Sequence, residues 1–92
     1  GVSSGRTVFE KDQEAFERVL GPKVRGAAVL DEVLADDPLR FVCYFSSTAA
    51  VLGDFGACDY AVGNRFLMAY AAARERTGKT VVINWPLWRN GG

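Results

Sequence analysis

The chain has 92 residues, 49% hydrophobic and 24% charged, the composition of a folded domain rather than of a disordered segment. Eleven Lys and Arg balance eleven Asp and Glu, so no basic stripe exists to follow a nucleic-acid backbone. No apolar run reaches the roughly 18 residues of a membrane span, no signal peptide opens the chain, and the lack of histidine removes His-based triads, bases and metal ligands.

Residues 1–7 are polar and rich in Gly and Ser, a loop without periodicity. From Lys11 to about Leu34 apolar residues recur at three- and four-residue steps, which predicts a helix. Asp12 is its candidate N-cap, and Glu14 and Glu17 suit the positive end of its dipole. Gly21-Pro22 interrupts the run, so a kink or a break into two helices is expected there. Asp36, Asp37 and Pro38 mark a turn. The apolar run Arg40–Phe45 then reads as a strand buried on both faces, ended by Ser46, Ser47 and Thr48. Ala49–Gly56 is a small-residue loop with room for a turn of helix. A second helix is predicted from Cys58 to about Thr77, with Gly78 as its C-cap. Thr80–Ile83 is a second β-branched strand, left by Asn84-Trp-Pro-Leu-Trp88. Cys43 and Cys58 lack C-x-x-C spacing and sit in apolar stretches, so they read as reduced packing thiols in a cytoplasmic protein; no metal site is expected.

The order helix–strand–helix–strand makes the fold class α/β, with one parallel βαβ unit. Two strands buried on both faces do not complete a sheet, because their edges and faces need cover. The expectation is a fragment of a Rossmann-like, doubly wound parallel sheet, marginal in stability by itself. In such sheets ligands bind at the carboxyl ends of the strands. Ser46 and Ser47 end the first strand, Asn84 and Trp85 end the second, and Tyr60 begins the helix between them. Tyr60 and Asn64, four apart, project from one helix face. A Ser hydroxyl, a Tyr phenol and an Asn amide at one rim suit the polarisation and protonation of a carbonyl oxygen. Taken singly, each has a plainer role. Tyr60 reads as a core aromatic with a wet hydroxyl, Ser47 as a strand-end or capping serine, Asn64 as a solvated or backbone-bonded helix residue, and Lys23 as a solvated lysine.

Four stretches together carry a resemblance: Val19-Leu-Gly-Pro-Lys-Val-Arg-Gly26, Phe45-Ser-Ser-Thr-Ala49, Asp59-Tyr-Ala-Val-Gly-Asn64 and Ile83-Asn-Trp-Pro-Leu-Trp88. They resemble the C-terminal, catalytic half of the ketoreductase domain of modular polyketide synthases, a branch of the short-chain dehydrogenase/reductase superfamily. Lys23 precedes Ser47 by 24 residues, Ser47 precedes Tyr60 by 13, and Asn64 follows Tyr60 by four. Those spacings are similar to the polyketide version of the pattern, in which Lys and Asn exchange places relative to the usual Tyr-x-x-x-Lys.

The resemblance implies NADPH-dependent reduction of the β-keto group of polyketide thioesters. Tyr60 would be the general acid, and Ser47 would hydrogen-bond the same oxygen. Lys23 would bring positive charge to the phenol and approach the cofactor ribose, and Asn64 would order the network. Lys23, Tyr60 and the Trp85-Pro86-Leu87 segment would lie beside the cofactor. Many relatives have Gly where Pro86 stands, which removes one N–H donor here. The implied partners are the remainder of the ketoreductase domain, an acyl carrier protein with its phosphopantetheine-linked β-ketoacyl group, and neighbouring synthase domains, with neither nucleic acid nor membrane. No G-x-G-x-x-G occurs in the chain, so the dinucleotide-fingerprint half is expected outside residues 1–92, which read as one part of that domain. Ser3-Ser4-Gly5 stands where one stereochemical class carries L-D-D, which places the chain outside that class, and Leu52 replaces the Trp of the other. The competing reading is a ketoreductase-like piece that scaffolds neighbouring domains without catalysis.

Overall fold

The computed structural model describes residues 2, 5–74 and 79–90. Its elements are α1 (Gln13–Val33), β1 (Phe41–Ser47), the short α2 (Ala49–Leu52), α3 (Cys58–Ala73) and β2 (Lys79–Trp85). Strands β1 and β2 pair in parallel, from Phe41 opposite Lys79 to Ser47 opposite Trp85, a constant offset of 38 residues. Helix α3 is the crossover between them. Its 16 residues span about 24 Å, which matches the roughly 23 Å of a seven-residue strand, so it returns the chain by one strand length.

Local sequence explains the ends of these elements. Asp12 caps α1, its carboxylate accepting from Ala15 N at 2.7 Å. Helix α1 then runs unbroken through Pro22 to Val33, rather than dividing into two helices. Pro22 and Arg18 both lie on the exposed side, so water can serve the Arg18 carbonyl that proline leaves without its helical donor. Helix α3 ends at Ala73, four residues short of Thr77, where Arg74 turns extended. Expectations for Gly78, Ser3 and Ser4 lie outside the described residues. Both strands run further than their apolar cores: β1 takes in Ser46 and Ser47, and β2 takes in Asn84 and Trp85. Thr48 N adds one more bond to Trp85 O at 3.0 Å.

The core lies on one side of the sheet. Tyr44 of β1 packs with Ala27 of α1 and Leu67 of α3, joined by Val42, Phe66, Tyr70, Ala71 and Val82. At Gly63 the two long helices approach so closely that a Cβ would lie 3.4 Å from both Leu20 Cδ2 and Lys23 Cδ. At the far end of this layer Arg74 pairs with Asp31 and donates to Tyr44 Oη at 2.5 Å, while Tyr70 Oη donates to Asp31 at 2.5 Å. The opposite face of β1 stays open, with Phe41 66% and Phe45 63% exposed. The strand expected to be buried on both faces is therefore covered here on one. Among the described residues, no helix is long and apolar enough to cross a membrane.

Candidate active site

Alternation along β1 assigns its two terminal serines to different jobs. Ser46 shares the face of Tyr44, is buried, and donates to Asn64 O at 3.3 Å. Ser47 shares the face of Phe45 and opens into a cavity of about 860 Å³ at the carboxyl ends of both strands. Ser47 Oγ accepts from Ala49 N at 3.2 Å, which leaves its own hydrogen free to donate.

The same cavity is lined by Lys23 from α1, Tyr60 from the first turn of α3, and Trp85, Pro86 and Leu87 from the end of β2. Four segments far apart in sequence thus meet where a parallel sheet offers its ligand site. Lys23 Nζ donates to Phe45 O at 3.2 Å and lies 5.8 Å from the centre of the Tyr60 ring. One of its three hydrogens is used in that bond, and two remain for a ligand. Burial holds the Lys23 ammonium below its ordinary lysine value, because the charged form loses water there. The chain's other two tyrosines are committed elsewhere. Tyr44 and Tyr70 belong to the Asp31–Arg74 cluster, and the bond to the Asp31 carboxylate pushes the Tyr70 phenol above its ordinary value. Of the three tyrosines, only Tyr60 lines this cavity.

Asn64 takes a different place from the other three. It is completely buried and stands behind the cavity wall, its Nδ2 donating to Tyr60 O at 2.8 Å. Its Oδ1 is buried without a hydrogen-bond partner. Asn64 therefore touches Tyr60 through the backbone.

Several contributors escape a reading of sequence alone. Phe45 and Trp88 each set a ring edge against Trp85, at 5.5 and 5.4 Å, and so build the aromatic wall. Their apolar alternation offered a signal for packing but none for a cavity. Lys11 and Asp59 form a buried ion pair at 3.0 Å beside the first turn of α3. Their separation of 48 residues in sequence hides that contact. Gly53 and Gly56, with φ of 75° and 71°, turn the loop that carries the chain from α2 to Tyr60.

The polar groups fit one end of a dinucleotide better than the whole. Lys23 has spare donors, Trp85 Nε1 is buried without a partner, and Pro86 and Leu87 give an apolar flank for a flat ring. The chain holds no glycine-rich G-x-G-x-x-G loop for a pyrophosphate.

Comparison with known proteins identifies the family. The KR domain family profile matches residues 1–90. Polyketide synthase PksM of Bacillus subtilis (strain 168) is 55% identical over 94 residues, covering 100% of this chain and 2% of that protein. Polyketide synthase ThaG of Burkholderia thailandensis is 44% identical over 98 residues, with 99% and 2% covered. Among solved structures, a ketoreductase domain from the bacillaene assembly line superposes with a TM-score of 0.83 at 40% identity, covering 100% of this chain and 24% of that one. A C2-type ketoreductase from a modular polyketide synthase gives 0.84 at 31% identity, with 98% and 20% covered. The chain thus spans a small part of the relatives it matches, and its α/β unit is a piece of their Rossmann-like fold. On the profile match and these identities, the chain belongs to the KR domain family.

Proposed function

We propose that this chain is the catalytic, C-terminal part of an NADPH-dependent ketoreductase domain that reduces the β-keto group of carrier-protein-bound polyketide thioesters. The observation that carries this reading is the meeting of Lys23, Ser47 and Tyr60 on one cavity at the carboxyl ends of two parallel strands. The remainder of the ketoreductase domain would supply the phosphate-binding half, and an acyl carrier protein would deliver the substrate.

Lys23 and the Trp85–Leu87 segment would hold the nicotinamide and ribose end of NADPH, which supplies the hydride when bound. Ser47, its oxygen fixed by Ala49 N, donates its hydrogen to the substrate carbonyl oxygen. Tyr60 delivers its phenolic proton to that same oxygen as it gains charge, yielding the hydroxyl. The Lys23 ammonium, 5.8 Å from the centre of the Tyr60 ring, brings positive charge beside the group that gives up the proton. Asn64 holds the Tyr60 carbonyl and so the first turns of α3. The aromatic and apolar wall of Phe45, Trp85 and Leu87 limits water at the reacting carbon.

The test uses a complete ketoreductase domain that carries this sequence, a β-ketoacyl thioester and NADPH absorbance. Tyr60→Phe should lower turnover by about 10²–10⁴-fold while cofactor binding stays near that of the parent. Ser47→Ala should cost about 10²–10³-fold. Lys23 and Tyr60 act on one proton, so their double variant should be little worse than the worse single. Parental rates in Tyr60→Phe would move the function to a non-catalytic scaffold.

A further inference from the structure

Helix α3 carries Tyr60 in its first turn, yet its N-cap is Ala57, which offers no side-chain acceptor. The first N–H groups of a helix need partners. Here one is supplied from inside the helix: Asp59 Oδ1 accepts from Tyr60 N at 2.8 Å. The other oxygen, Oδ2, lies 3.0 Å from Lys11 Nζ. Lys11 Nζ also donates to Gly56 O at 3.3 Å, across 45 residues of sequence. The ion pair is sealed, with side-chain exposures of 3% for Lys11 and 0% for Asp59.

Ion pairs this deeply buried are poor stabilisers, since apolar replacements of both partners are often neutral or better. What this one fixes is the backbone of a single residue. Asp59 holds the nitrogen of Tyr60, and Asn64, also fully buried, holds its oxygen at 2.8 Å. Ser46 in turn anchors Asn64 to β1. The Tyr60 backbone is thereby gripped on both sides by buried polar side chains. One grip leads to β1, and the other, through Lys11, to the segment that precedes α1, the helix that bears Lys23.

We propose that Lys11 and Asp59 are positioning residues for Tyr60: their ion pair fixes the start of α3 against the base of α1 and so sets where the phenol stands relative to Lys23 and Ser47. This rests on the ketoreductase reading, because only there does the placement of the phenol set a rate. A displacement of about 1 Å at a reacting group can cost up to about 10²-fold.

The experiment uses the complete ketoreductase domain in parental form and as Lys11→Met, Asp59→Asn and Lys11→Met/Asp59→Asn, with Lys11→Arg as the conservative variant. The double variant removes both charges together, so it keeps the test open where a single leaves a lone buried charge and fails to fold. Rates are taken at a temperature where each variant is folded by circular dichroism. A fluorotyrosine placed at position 60 reports the phenol environment by fluorine NMR, independently of turnover. The expected result is a kcat loss of about 10- to 100-fold with KM for the thioester within about two-fold. The fluorine resonance at position 60 should move, the pH profile of kcat should shift, and Lys11→Arg should recover most of the rate. Folded variants with parental kcat and pH profile, or with an unmoved fluorine resonance, overturn the proposal. A parental domain that reduces no thioester would overturn the ketoreductase reading separately. The fluorine resonance alone would then decide whether the pair positions Tyr60.

Discussion

Two neighbouring hydroxyls at the end of β1 face opposite ways, and strand parity decides which one opens into the cavity. Sequence alone left Ser46 and Ser47 together at a strand end; the resemblance pointed to Ser47, and the pleat turns that residue toward the cavity. Tyr60 was legible as one of three tyrosines, and its uniqueness emerges only when Tyr44 and Tyr70 are found bonded into the Asp31–Arg74 cluster. The backbone bond of Asn64 was one of its plain readings, whereas its complete burial was not legible, since a four-residue spacing fixes a helix face and not what lies behind it. Lys23 carries a cost that can be measured. Its folded pKa is lowered by burial, so the unfolded chain binds the proton more tightly. The penalty is present in full below the folded value and fades as pH rises toward the ordinary lysine value of 10.5. The parental domain should therefore gain stability relative to Lys23→Met across that window. Urea midpoints of both proteins from about pH 8 upward would check this, and a gap that stays constant or widens against the parent would contradict it.

The elements were legible wherever periodicity was strong. Both long helices, both strands and their parallel pairing follow from apolar spacing and β-branched runs. Of the kink or break expected at Pro22, the break did not occur, because packing of α1 on α3 outweighs one missing donor on an exposed side. The open face of β1 agrees with the reading of a sheet fragment whose faces need cover, although which face opens was not legible, since a continuous apolar run looks the same on both. The close crossing at Gly63 sets the distance between the helix of Lys23 and the helix of Tyr60. At 3.4 Å from Leu20 and Lys23, a single methyl fits at ordinary contact distance, and alanine is the better helix former. Gly63→Ala should leave activity intact and stabilise by up to about 1 kcal/mol, read as a raised Tm. Gly63→Leu should push α1 away, costing about 1–3 kcal/mol and lowering kcat as Lys23 departs from Tyr60. Equal Tm values for the two variants would show that the crossing is loose.

As a whole, the molecule presents one packed side and one apolar side. Phe41, Phe45, Leu87 and Trp88 are 58–92% exposed, a surface that a soluble monomer rarely displays. Residues 1–92 expressed alone should bind an apolar dye, melt without cooperativity and give no calorimetric signal with NADPH; a cooperative melt with micromolar cofactor binding would refute this. The parallel register has a consequence for the order in which the site comes into being. Every rung of the sheet joins residues 38 apart, so its first contact must close a loop that costs about 3 kcal/mol in chain entropy. Helix α3 needs no such closure and supplies the return path, so it should organise first. Tyr60 would then be in place on its helix before Ser47 acquires its strand partner Trp85. In refolding of the complete domain, pulse-labelled hydrogen exchange should find α3 amides protected ahead of those of β1 and β2. On this order, the cavity lined by Ser47, Tyr60 and Trp85 is the last feature the fold acquires, because its wall is complete only once the sheet has zipped.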